Sequence, residues 1–174
     1  MIGFSPALDE QYDEFLQLVR DEAGSYLERT LPLMQMNWEG FTRLFRTVGQ
    51  VYGVYSRGRL AGFCWVEQRD RVLHIHGLVL KGEFQGQGIG SAVLQTLESE
   101  YKGRVDTVEL GVHRSNRRAK ALYERLGYQR VRTLDDLGFE IMQKRLASGS
   151  AAPPAVHLQH RTGDEVRLFA KEEE

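Results

Sequence analysis

The chain has 174 residues, 41% hydrophobic and 27% charged, enough for one domain with its own core. Its net charge of −1, from 23 basic and 24 acidic side chains, excludes an electrostatic nucleic-acid binder, and no apolar run reaches the roughly 18 residues of a membrane span. The acidic start MIGFSPALDEQYDEF does not read as a signal peptide, and one cysteine, Cys64, permits neither an internal disulfide nor a cysteine-rich zinc site, so a cytoplasmic protein without a metal is expected.

Residues 9–20 place Tyr12, Phe15, Leu16 and Val19 on one helical face, with Asp9 or Ser5 as a cap. Pro32 predicts a break, and Trp38, Phe41, Leu44, Phe45 and Val48 mark a second helix. The apolar period then shortens to two. VYGVYS, LAGFCWVEQ and RVLHIHGLVL, separated by turns at Arg57-Gly58 and Arg69-Asp70, read as an antiparallel meander. Gly77, inside the third run, signals a bulge or a close backbone approach.

Beyond the turn KGEFQGQG, Ile89, Val93, Leu94 and Leu97 define a third helix that stops near Gly103. VDTVELGV is a fourth long strand. SNRRAKALYERLG is a helix with Ser115 or Asn116 at its cap and Gly127 past its end. YQRVRTL and GFEIMQKRL add two strands. The order ααβββαβαββ implies an α/β (α+β) sheet with helices on both faces. From residue 147 the composition shifts: ASGSAAPPA reads as a linker, and VHLQHRTGDEVRLFAKEEE as a hairpin or tail. The expected division is therefore a domain over 1–146 and an Ala/Ser/Gly/Pro linker with a C-terminal segment over 147–174.

QGQGIGS (residues 85–91) puts three glycines within five positions at a strand-to-helix junction, a pattern that brings backbone N–H groups up to a phosphate. A Walker loop would need a lysine after the glycines, and none follows. A dinucleotide fingerprint would need a third glycine where Ser91 stands, and an acid at the end of the next strand, which runs Leu110-Gly111-Val112. Both readings fail. Gln85-Gly86-Gln87-Gly88-Ile89-Gly90 instead has the form [RQ]-x-x-G-x-[GA], and NRRAKALYERLGY (residues 116–128) is similar to N-x-x-A-x-x-L-Y-x-x-x-G-[FY]. The two motifs, in this order with a strand between them, resemble those of the GCN5-related N-acetyltransferases over about residues 50–146.

That resemblance implies a central mixed, mostly antiparallel sheet whose strands splay around acetyl-CoA as co-substrate. Amides from Gly86 through Gln87, Gly88, Ile89 and Gly90 to Ser91, with Gln85 leading in, would meet the CoA pyrophosphate. The backbone of Leu78 and Leu80, with Val79 between them, would pair with the pantetheine arm like an added strand. Asn116 would contact CoA as well as cap its helix, and Tyr123 would be the general acid that protonates the leaving thiolate. H-I-H-G-L-V-L is further similar to the H-x-H-x-L-x-V run of the arylalkylamine N-acetyltransferases, which makes His74 and His76 the groups that take the amine proton. Glu67 and Glu109 compete for that role, and His113 is a weaker candidate. Bland readings stand beside these: Tyr123 as a core residue, Glu109 paired with Arg114 or another base, and Arg114, Arg117, Arg118 and Lys120 as a solvated helix face.

The expected reaction is direct acetyl transfer to a primary amine of a small molecule or peptide. The acceptor pocket would be walled by Tyr26, Met34, Met36, Trp38 and Phe41 and by the last strand pair. Acetylation of a protein N-terminus or lysine is the alternative within the class, and a non-catalytic acyl-CoA-sensing module the alternative outside it. Retention of Tyr123 and both histidines favours the enzyme. A homodimer is left open.

Overall fold

Helices cover both faces of one sheet in the computed structural model, which describes residues 2–147 and 170–171, with Tyr26 by its backbone alone. The elements are β1 (Ile2–Pro6), α1 (Gln11–Leu33), α2 (Trp38–Thr47), β2 (Gln50–Ser56), β3 (Arg59–Arg69), β4 (Val72–Leu80), α3 (Ile89–Tyr101), β5 (Thr107–His113), α4 (Arg117–Arg125), β6 (Gln129–Leu134), β7 (Phe139–Arg145) and β8 (Ala170–Lys171). Seven strands pair in the order β1-β2-β3-β4-β5-β7-β6, and β8 pairs with β4 outside that row. Within the row only β4 and β5 are parallel. This is the mixed, mostly antiparallel architecture that the sequence implies.

Strand alternation divides the core into two layers. Phe63, Trp65 and Val79 point to the α1/α2 side, where Phe15, Val19, Leu27, Phe41 and Phe45 bury against them. Cys64, Val66, Val108, Leu110 and Val112 point to the α3/α4 side and pack on Val93, Leu94, Leu97, Ala119, Leu122 and Tyr123. Each fully buried aromatic or aliphatic side chain contributes about 1.5–3 kcal/mol by leaving water. Cys64 is wholly buried, and burial pushes its thiol far up, so it behaves as a small apolar side chain.

Local expectations needed four corrections. β1 is an additional edge strand, too short and too exposed to show a clear period, and Pro6 sits at its end where no ladder donor is needed. α1 does not break before Pro32 but runs through it to Leu33; a proline disturbs the turn preceding it, and here that turn is already the last. Neither Asp9 nor Ser5 caps this helix: Glu10 occupies the cap position without a side-chain bond. The second meander turn lies at Asp70-Arg71, one residue beyond its expected place, with Asp70 in the left-handed region. Asn37, Asn116 and the turn at Arg57-Gly58 follow local rules, both asparagine side chains accepting a helix-start amide. The expected linker and hairpin fall outside the described residues except for Ala147, Ala170 and Lys171.

Candidate active site

The site begins with a parting of two strands. β4 pairs with β5 only from Val72↔Thr107 to Ile75↔Leu110. Immediately afterwards β4 bulges against β3: Trp65 faces Gly77 and Val66 faces Ile75, which leaves His76 as the extra residue. A bulge bends its strand and resets side-chain alternation. Leu73 and Ile75 lie in the α3/α4 layer, and so do Leu78 and Leu80, so the inward parity changes from odd to even across His76. Gly77 thus marks a bulge, as its place in an apolar strand suggested. Beyond it the edge of β4 faces β8 instead of β5, through Leu78↔Ala170 and Val79↔Lys171.

At the far end of β4 the chain makes a short 3-10 turn, Gly82–Phe84, and then enters the glycine loop. Gly86 and Gly88 have φ of 74° and 73°, a conformation that side chains other than glycine rarely adopt. A β-carbon on Gly88 would meet no protein atom within 4 Å, so this position faces open space. Gln85 anchors the loop by donating to the Leu80 carbonyl at 3.0 Å and to Glu22 of α1 at 3.2 Å. The first bond of α3 runs from Ala92 N–H to Gly88 C=O, so the amides before it belong to the helix start that has no intrahelical acceptor. Ile89 and Gly90 are buried, Ser91 is half-buried, and Gly86, Gln87 and Gly88 are exposed.

The two histidines come together on the α1/α2 side, their rings parallel within 12° and 6.2 Å apart. The competing carboxylates are their partners. His76 Nε2 lies 2.6 Å from Glu67 Oε2, and His74 Nδ1 lies 3.5 Å from Glu109 Oε1. Arg69 forks onto Glu67 with two bonds of 2.9 Å. Burial raises the Glu67 carboxyl, but bonds from His76 and Arg69 outweigh burial and hold it at about 2. His76 is 1% exposed, and burial lowers its basicity despite the opposing pull of Glu67. At neutral pH the pair is therefore a carboxylate and a neutral imidazole. A carboxylate only accepts, so His76 donates from Nε2 and keeps its lone pair on Nδ1. That buried Nδ1 has no hydrogen-bond partner among the described residues. For Glu109, burial raises the carboxyl, and bonds from His74 and Gln143 overcome it.

Tyr123 is completely buried on the opposite side of the sheet, in the α3/α4 layer, with its ring edge-on to Tyr128 at 6.0 Å. Asn116 accepts from the Ala119 amide at 3.2 Å. His113, at the end of β5, bonds to Ser115 at 2.6 Å, and its basicity is lowered by burial and by the nearby charges of Arg114 and Arg29. It lines a groove of about 290 Å³ with Arg29 and Thr30 of α1 and Asp135, Asp136 and Gly138 of the β6–β7 turn. The expected pocket aromatics are placed differently. Phe41 is core, and Trp38 stacks on it beneath Arg20. Met36 lines a separate cavity with Pro32 and Asn37, Met34 packs against the α1/α2 layer, and the side chain of Tyr26 lies outside the described residues.

Sequence reasoning missed Arg69, Gln143 and Trp65. Arg69 stands two residues from Glu67 on one strand, so their shared face was available from period two alone. Gln143 reaches Glu109 only through the β5–β7 register. Trp65, whose ring centre is 5.0 Å from His76 and whose indole donates to Val48, depends on the bulge.

Known proteins share this fold. The acetyltransferase (GNAT) family profile matches residues 8–128. Mycothiol acetyltransferase of Kineococcus radiotolerans is 38% identical over 74 residues, a match spanning 42% of this chain and 24% of that protein. The fold is similar to that of the ribosomal-protein-S18-alanine N-acetyltransferase from Escherichia coli, with a TM-score of 0.66 and 21% identity over 90% of this chain and 100% of that one. It is also similar to that of the PaiA N-acetyltransferase from Thermoplasma acidophilum in complex with coenzyme A, with a TM-score of 0.64 and 17% identity over 84% and 99% of the two chains. The match to the profile covers well over half of the sequence, and the chain belongs to the acetyltransferase (GNAT) family.

Proposed function

We propose that the protein transfers an acetyl group from acetyl-CoA directly to a primary amine, of a small molecule or a peptide, using the domain formed by residues 1–146. The observation that carries this reading is the His76–Glu67 pair at the point where β4 leaves β5. The glycine turn receives the diphosphate through amides from Gly86 to Ser91, reinforced by the α3 dipole. The pantetheine arm lies along Leu78, Val79 and Leu80, and Asn116 adds a polar contact. That arm points the thioester toward His76.

An ammonium group cannot attack a thioester, so its proton must leave first. His76 takes it on Nδ1, and Glu67 stabilises the resulting imidazolium through Nε2–H, with Arg69 holding the carboxylate in place. His74, tied to Glu109, sits against His76 and completes the path for the proton. Tyr123 returns a proton to the departing thiolate, a group of similar basicity to a phenol. The groove between α1 and the β6–β7 turn admits the acceptor.

The test is the pH dependence of free-thiol release with an alkylamine acceptor of pKa about 10, which is an ammonium ion well below that value and so needs its proton removed. His76 works only when neutral, and burial lowers its pKa from the ordinary histidine value. So kcat/KM should be constant around neutral pH and fall as pH drops through that lowered value. Glu67→Gln removes the anion that stabilises the imidazolium, which should move the inflection to still lower pH and slow the reaction by about 10²-fold. His76→Gln should abolish the inflection. Were it to persist in His76→Gln, the base would lie elsewhere.

A further inference from the structure

Beyond the parting, the edge of β4 consists of Leu78, Val79 and Leu80, all 2% exposed or less with β8 in place. Buried backbone amides and carbonyls need partners, and an open strand edge is a template for one. In this structure the partner is the chain itself. β8 adds to β4 in parallel at Leu78 and Val79 and also lies against β5, filling the gap between the two strands. This is the same edge that the proposed function gives to the pantetheine arm, and one edge cannot pair with both.

We propose that the segment carrying Ala170 and Lys171 is an internal competitor of acetyl-CoA, so that the protein exchanges between a form closed by β8 and a form open to the cofactor. The inference rests on the cofactor reading above. Two residue pairs make a weak contact in isolation, but residues 147–169 tether β8 covalently, which supplies an effective concentration in the millimolar range. β8 runs in the direction of β4, which leads to the glycine turn, and the sequence continues with Glu172, Glu173 and Glu174. Those side chains have the charge sign that a helix start attracts and that a diphosphate also carries. The competitor thus matches the cofactor in both of its recognisable features, a strand-like backbone and an anionic neighbour.

The consequence is quantitative. A protein that is open for only a fraction of the time binds with a dissociation constant raised by the inverse of that fraction. The full chain and its Ala170→Pro/Lys171→Pro variant, which lacks both backbone N–H groups of β8, should be titrated with CoA by calorimetry. The variant should bind several-fold to about tenfold more tightly, and KM for acetyl-CoA should fall alike while kcat at saturation stays constant. A synthetic peptide of residues 165–174 added to the variant should weaken CoA binding competitively. Equal, measurable affinity of the two proteins would overturn the competition and leave the cofactor reading standing; absence of CoA binding in both would overturn both. A second measurement uses the unaltered protein. Saturating CoA should speed tryptic cleavage after Lys171 several-fold by releasing β8, and an unchanged rate would refute the proposal.

Discussion

His76 combines two influences that oppose each other in one side chain: one lowers its basicity, and the other holds a proton on it. Burial supplies the first and Glu67 the second. Neither is visible in a strand of alternating residues, where Glu67 and His76 look like rivals for one role. Their 2.6 Å contact makes them partners. Tyr123 presents the reverse case, since its place in A-L-Y suggested an acid while its helical face suggested core, and it is completely buried. Tyr123→Phe keeps the ring and removes only the hydroxyl. Folding and CoA affinity should be retained, with kcat reduced about 10²-fold in a thiol-release assay. Wild-type turnover with chemistry rate-limiting would return Tyr123 to a purely structural role.

At the scale of elements, the β4 bulge and the start of α3 create the candidate site. The bulge moves the inward face of β4 from odd to even residues and separates it from β5, while the glycine turn brings α3 in with its first amides uncommitted. Gly88→Asp tests the turn. Aspartate tolerates the left-handed region better than most residues, and the space around the new β-carbon is open, so the fold should persist. Its carboxylate would stand beside a bound diphosphate, and CoA affinity should drop at least tenfold, whereas Gly88→Asn should lose less. Equal losses in the two variants would assign the effect to the backbone and not to charge. The α3 turn was legible because a glycine pattern reports its own backbone geometry. The bulge was only half legible: Gly77 announced an irregularity, but the identity of the extra residue depends on how β3 pairs with it.

Across the whole molecule, the two core layers are built, among the described residues, from positions up to Leu146. Leu146 packs on the α3/α4 layer and donates to the Asp106 carbonyl at 2.8 Å, which extends the β5–β7 pairing past Arg145. β8 adds two backbone pairs and no element of the seven-strand row. Ending the chain at Leu146 should therefore preserve a single cooperative melt, with a stability change within about 1–2 kcal/mol, the scale of one or two net hydrogen bonds. Loss of the cooperative transition in calorimetry would show that the later segment belongs to the fold itself.

The sequence by itself determined the family, the order of the principal elements and the placement of the two motifs, because helix and strand periods, caps and glycine turns are local rules written over a few neighbouring residues. It also named His74, His76 and Tyr123 from their motifs alone. Tertiary structure decided the rest. It paired each histidine with a carboxylate, put Tyr123 on the opposite side of the sheet from His76, carried α1 through Pro32 and assigned the expected pocket residue Phe41 to the core. It also set Ala170 and Lys171 against a strand about ninety positions earlier in the chain. Contacts of that kind follow from strand register and from which surfaces must be covered together, and no window of neighbouring residues contains them.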